Sequence, residues 1–176
     1  LESRVSSEPD PRERVTLLKK ISEVYTTQMD NGEMAFVTAA RSLRELPDDE
    51  GSLELVLRLY QRADAIDELQ ALLTECAPKA ADDARRAELY RALARIASIN
   101  DEAEESIESW KRVLELAPTD TEALETVGRL LAKGGRVQEL IDVLKRQLAM
   151  ADDPQRRAGL LFQMGSLQQD YMKDQA

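Results

Sequence analysis

A short string recurs along this chain at a fixed interval, and the recurrence limits the fold more than any local propensity does. Asp153-Pro154-Gln155-Arg156-Arg157-Ala158 matches Asp82-Asp83-Ala84-Arg85-Arg86-Ala87 in its Asp, both Arg and its Ala, at an offset of 71 (157 − 86). Asp10-Pro11-Arg12-Glu13-Arg14 returns the Asp, Pro and Arg at an offset of 143 (157 − 14). Pro47 and Pro118 stand 71 apart (118 − 47), as do Glu68-Leu69 and Glu139-Leu140 (139 − 68). A chain built this way buries the apolar face of each unit against its neighbours, so the repeat predicts an elongated array.

Composition narrows the chemistry. The 176 residues contain no histidine, which removes the commonest general base and metal ligand together. The single cysteine, Cys76, excludes an internal disulfide and a cysteine-rich zinc site, and its apolar helix face predicts a small core residue. No nucleophile–base pair and no glycine-rich phosphate loop stands in the chain, so no catalytic residues, cofactor or metal are expected. The net charge of −10 opposes a phosphate backbone and argues against nucleic acid as a partner. No apolar run has the length of a membrane span, and no signal-peptide pattern is visible.

Each 71-residue block divides into two helical hairpins, with unit starts at Val15, Glu50, Ala87, Thr121 and Ala158. Leu124, Val127, Gly128 and Leu131 follow the helical period of one helix; Val137, Leu140, Ile141, Leu144 and Leu148 follow that of the next. Lys133-Gly134-Gly135 breaks the pattern between them, as Asn31-Gly32 and Asn100-Asp101 do in the first and third units. Units join in two alternating ways. Pro47-Asp48-Asp49 and Pro118-Thr119-Asp120 are tight junctions with good N-cap residues. The junctions before Ala87 and Ala158 are longer, and there the next helix is expected to start about a turn early, with Asp153 as cap and Pro154 as first helical residue.

A helix–turn–helix unit of this length, with these columns, resembles the tetratricopeptide repeat (TPR). The first-helix columns read Leu18, Leu53, Tyr90, Leu124, Leu161 and then Ile21, Val56, Leu93, Val127, Met164. The family's small column reads Ser22, Leu57, Ala94, Gly128, Gly165, and its Tyr column begins Tyr25, Tyr60. On the second helix the small residue is Ala35 and Ser106, but Leu69 and Leu140 in the other two units, and the helix-ending Pro is Pro47 and Pro118. Alternate hairpins are therefore expected to cross differently. The resemblance implies an all-α fold: a right-handed α-solenoid of stacked antiparallel hairpins. It implies four repeats at residues 15–49, 50–86, 87–120 and 121–157, preceded by a helix tail and linker (1–14) and followed by the first helix of a fifth (158–176), all in one solenoid domain. Leu1–Val5 aligns with Leu144–Leu148, so the expected whole is a window on a longer array.

The family binds peptides and partner segments along the concave face lined by first helices. The matching positions are Lys19 and Glu23, Glu54 and Arg58, Arg91 and Arg95, Glu125 and Arg129, Phe162 and Ser166. No Lys-x-x-x-Asn pair stands there, so the family's carboxylate clamp does not carry over. Arg58, Arg91, Arg95, Arg129 and Lys133 instead suggest a basic stripe for an acidic partner segment, with Phe162 as an apolar contact. The competing account is a solvated surface in which Glu54–Arg58 and Glu125–Arg129 form ordinary intrahelical pairs worth ~0.3–0.5 kcal/mol each. Asp101–Glu105 suits a helix start, the aspartate pairs suit capping, and Trp110 suits the core. Leu160, Leu161, Phe162, Met164 and Leu167 crowd the last helix and predict self-association through that end. The expected function is a protein-interaction scaffold. A regulatory or structural repeat region of a larger protein is the alternative, with an RNA-binding helical repeat a distant third.

Overall fold

The computed structural model describes residues 2–174, with side chains for 3–169; Leu1, Gln175 and Ala176 lie outside the described residues. Among the described residues ten α-helices follow one another: α1 (Glu2–Ser7), α2 (Pro11–Thr27), α3 (Gly32–Glu45), α4 (Glu50–Ala63), α5 (Ile66–Cys76), α6 (Asp83–Ile99), α7 (Ala103–Leu116), α8 (Thr121–Lys133), α9 (Val137–Met150) and α10 (Pro154–Asp174). A short 3-10 turn, Ala77–Lys79, follows α5. Packing runs from neighbour to neighbour along this order, which is the contact pattern of a solenoid. None of the described helices is long and apolar enough to cross a membrane.

Every first helix of a hairpin starts on an aspartate. Asp10, Asp49, Asp82, Asp120 and Asp153 accept the backbone N–H of Arg12, Ser52, Arg85, Ala123 and Arg156 respectively, at 2.7–3.0 Å. These bonds satisfy donors that the first turn of a helix leaves open. α6 and α10 start at Asp83 and Pro154, about a turn ahead of Ala87 and Ala158, as the long junctions predicted, and α2 likewise starts at Pro11, ahead of Val15.

Each hairpin turn places one residue in the left-handed region: Asp30 (φ 48), Asp64 (φ 51), Asp101 (φ 59) and Gly135 (φ 66). In the first unit the turn residue is thus Asp30 rather than Gly32. Gly32 serves a different need, because a Cβ there would lie 2.9 Å from the Arg62 carbonyl oxygen at the end of α4. Asn31 caps α3 through the Met34 N–H at 2.9 Å.

Hairpins α2/α3 and α6/α7 pack closely along their length, while α4/α5 touch sparsely and α8/α9 fall between. Residue size at the crossing explains the alternation. Ser22 faces Ala35 and donates to its carbonyl at 2.8 Å; in α6/α7 the roles exchange, and Ser106 donates to the Ala94 carbonyl at 2.9 Å. These four residues are fully buried. Leu57 and Leu69 occupy the same columns in α4/α5, and Leu140 faces Gly128 in α8/α9, so larger side chains hold those helices apart.

The core is a strip rather than a ball. One cluster spans α3 to α6, a second α6 to α10, and a third joins α1 to α2. Tyr25 and Tyr90 each pack against two adjoining clusters and link the strip. Trp110 is a core residue, 2% exposed. Cys76 is buried as expected, and burial, followed by the Glu75 charge, pushes its thiol pKa up, so the group is held in its unreactive form.

Candidate functional site

The first helices α4, α6 and α8 border an open groove of about 560 Å³. Its walls are Leu53 and Leu57 from α4, Glu88, Arg91, Ala92 and Arg95 from α6, and Asp120, Thr121 and Glu122 at the start of α8. An apolar side thus faces a charged one.

The charged side is internally matched. Asp120 caps α8 through the Ala123 N–H at 2.8 Å and also accepts from Arg91. Burial alone would raise the Asp120 pKa, but the cap bond and the Arg91 guanidinium outweigh it, and the carboxyl is held below its ordinary range. Arg95 forks onto Glu122, with Nε–Oε1 at 3.0 Å and a second nitrogen 2.7 Å from Oε2. The same device appears one block earlier. Asp49 caps α4 through Ser52 and accepts from Lys19 Nζ at 2.9 and 3.0 Å. Burial is again opposed there, by Lys19 and both Ser52 donors, and the carboxyl is held low. At each short junction, then, a helix-capping aspartate ties down a cation from the first helix of the preceding unit.

The remaining sequence-predicted residues stand apart from these pairs. Arg58, Arg129 and Lys133 are exposed and have no ion-pair partner among the described residues. Neither expected intrahelical pair forms: Glu125 turns to Arg156 at 3.3 Å, and Glu54 does not meet Arg58. Arg58 and Arg129 sit two residues from the fully buried Val56 and Val127, so each projects from its helix away from the core. Phe162 is 79% exposed and Leu161 54%, whereas Leu160 packs into the core beneath them. Five of the six predicted residues thus belong to α4, α6 and α8; Phe162 belongs to α10.

The paired arginines that reveal the repeat have a role that sequence reading missed. Arg85, only 5% exposed, donates to the Pro47 carbonyl at 2.8 Å and the Asp49 carbonyl at 2.9 Å, and pairs with Glu88. Arg14 donates to the Glu8 and Pro9 carbonyls at 2.8 Å, and Arg157 to the Leu148 and Ala151 carbonyls at 3.0 Å. These side chains satisfy carbonyls where one unit ends and fix the next first helix over them. The signal was the recurrence itself. Arg14 and Arg157 keep the 143-residue offset, whereas at the middle junction the first arginine of the pair, Arg85, takes the role and Arg86, the match of Arg157, pairs with Asp83 instead.

No family model and no curated protein sequence matches the chain. Solved structures do. A TPR-like repeat protein, the kinesin light chain repeats of Podosopora anserina, superposes with a TM-score of 0.53 at 16% identity, covering 96% of this chain and 91% of that one. MamA superposes with a TM-score of 0.52 at 18% identity, covering 90% of this chain and 86% of that one. The fold is that of TPR-like helical repeats, an all-α solenoid.

Proposed function

We propose that this chain is a protein-interaction scaffold that holds a peptide or partner segment along the face lined by α4, α6 and α8. TPR-like folds commonly serve as such scaffolds. The observation that carries the reading is the groove, open to solvent, with Leu53 and Leu57 on one side and arginines on the other. Arg58, Arg129 and Lys133 offer guanidinium and ammonium groups to acidic side chains; Arg91 and Arg95, already matched by Asp120 and Glu122, shape the middle. Phe162 and Leu161 add an apolar contact on α10 and support self-association there, which light scattering at rising concentration checks. The units proposed for this scaffold are residues 15–49, 50–86, 87–120 and 121–157, with 158–176 opening a fifth.

Blocking the groove tests the reading. The buried Cys76 leaves an added surface cysteine as the accessible thiol. Peptides selected from a displayed random library are bound to Thr121→Cys and Glu108→Cys proteins carrying a bulky maleimide. Thr121 lines the groove, and Glu108 is exposed on α7. Loss of binding with the Thr121 label alone supports the groove; undiminished binding with that label contradicts it.

A further inference from the structure

The cations that the repeat columns assign to the inner face fall into two sets. Lys19, Arg91 and Arg95 are engaged by Asp49, Asp120 and Glu122 of the following unit. Arg58 and Arg129 are unpaired among the described residues, although each has a glutamate one turn before it. They stand 71 residues apart (129 − 58), so they occupy one position in the two-hairpin block, on α4 and on α8. A chain of net charge −10 has carboxylates to spare, yet both of these guanidinium groups remain open at equivalent sites. Between them, on α6, Arg91 and Arg95 are neutralised, and Leu53, Leu57 and Ala92 line the groove.

We propose that this face reads an extended acidic peptide with two acidic positions about six residues apart, one held by Arg58 and the other by Arg129. The assignment rests on the groove reading above and adds the chemistry and spacing of its occupant. At the roughly 10 Å spacing general to side-by-side helices, the two helix steps from α4 to α8 put the arginines about 20 Å apart. An extended chain rises ~3.3 Å per residue, so about six residues span that distance. Each arginine then takes a carboxylate through forked, charge-assisted bonds, and the intervening side chains lie over the neutral, partly apolar middle.

The test is fluorescence anisotropy on the full 176-residue chain, with labelled synthetic peptides bearing two Glu-Glu pairs in a Ser/Ala background. The pairs are set six or three residues apart, with Gln-Gln peptides as controls. The expected result is that six-residue spacing binds about tenfold tighter or better than three. Arg58→Gln and Arg129→Gln each bring the two spacings to the same weak affinity, with unchanged circular dichroism, while Lys20→Gln changes nothing. Spacing-independent binding, or binding indifferent to both arginine variants, overturns the proposal. So does a single-stranded RNA that competes as well as the peptide. The groove label separates the two readings: if the Thr121 label blocks the acidic peptide while the arginine variants do not, the groove stands and this assignment fails. If the label leaves the acidic peptide bound, the groove reading itself fails.

Discussion

The left-handed residues show how much one position decides. Three of the four hairpin turns use aspartate where glycine is the usual choice; the sequence marked Asn100-Asp101 as a break but singled out neither Asp30 nor Asp64. Two glycines elsewhere give opposite predictions. Gly128 lies inside α8, and a Cβ there would meet Val143 and Leu140 at 3.6 and 3.8 Å, ordinary contact distances. Gly128→Ala should stabilise by up to ~1 kcal/mol, the helix-propensity difference. Gly32→Ala should destabilise by about 1–3 kcal/mol, because its Cβ meets the Arg62 backbone. Urea unfolding of the two variants checks the pair of signs. Asp49 and Asp120 predict an acid sensitivity. A carboxyl held below its ordinary value contributes stability above the unfolded pKa and loses it as pH falls through the folded one. The protein should therefore lose stability from about pH 4 downward, and the Asp49→Asn, Asp120→Asn double variant should show a shallower loss over that range. An equal slope in both proteins would remove these carboxyls from the explanation.

At the scale of the helix pair, the sequence was readable where period and residue size suffice. The apolar columns predicted the hairpins, and the Asp-Pro and Pro-x-Asp junctions predicted which helices start early. The exchange of Ala35 and Ser106 for Leu69 and Leu140 on the second helices predicted alternate hairpins that differ, and α2/α3 and α6/α7 pack closely while α4/α5 is sparse and α8/α9 falls between. What could not be read was any contact whose partners lie a whole unit apart. Asp120 looked like a cap and is one, and Glu122 stands in the first turn of the helix it caps. Their pairing with Arg91 and Arg95 depends on how α6 is set against α8, which no local pattern encodes. The expected Glu125–Arg129 pair failed for the same reason, since Arg156 arrives from the next hairpin. The close hairpins should be intolerant of bulk. Ser106→Leu places a large side chain at the α6/α7 crossing and removes the bond to the Ala94 carbonyl. It should cost about 1–3 kcal/mol or more, measured by thermal unfolding; a near-neutral result would mean that the small residues do not set the approach.

Across the whole molecule, the repeat works as a pair of unlike hairpins. The close pairs α2/α3 and α6/α7 carry the crossing serines Ser22 and Ser106, and their first helices hold the cations tied to the next unit. The sparse pair α4/α5 and the intermediate pair α8/α9 carry Arg58 and Arg129, which have no ion-pair partner among the described residues. On the proposed reading, cohesion and recognition fall on alternate units of one strip, with the groove running across α4, α6 and α8. The central claim is that this inner face is the binding surface. Hydrogen exchange followed by mass spectrometry, with and without a saturating acidic peptide of the six-residue spacing, tests it most directly. The account predicts added protection in α4, α6 and α8 and none in the second helices α5, α7 and α9. Protection confined to α5, α7 and α9 would contradict it.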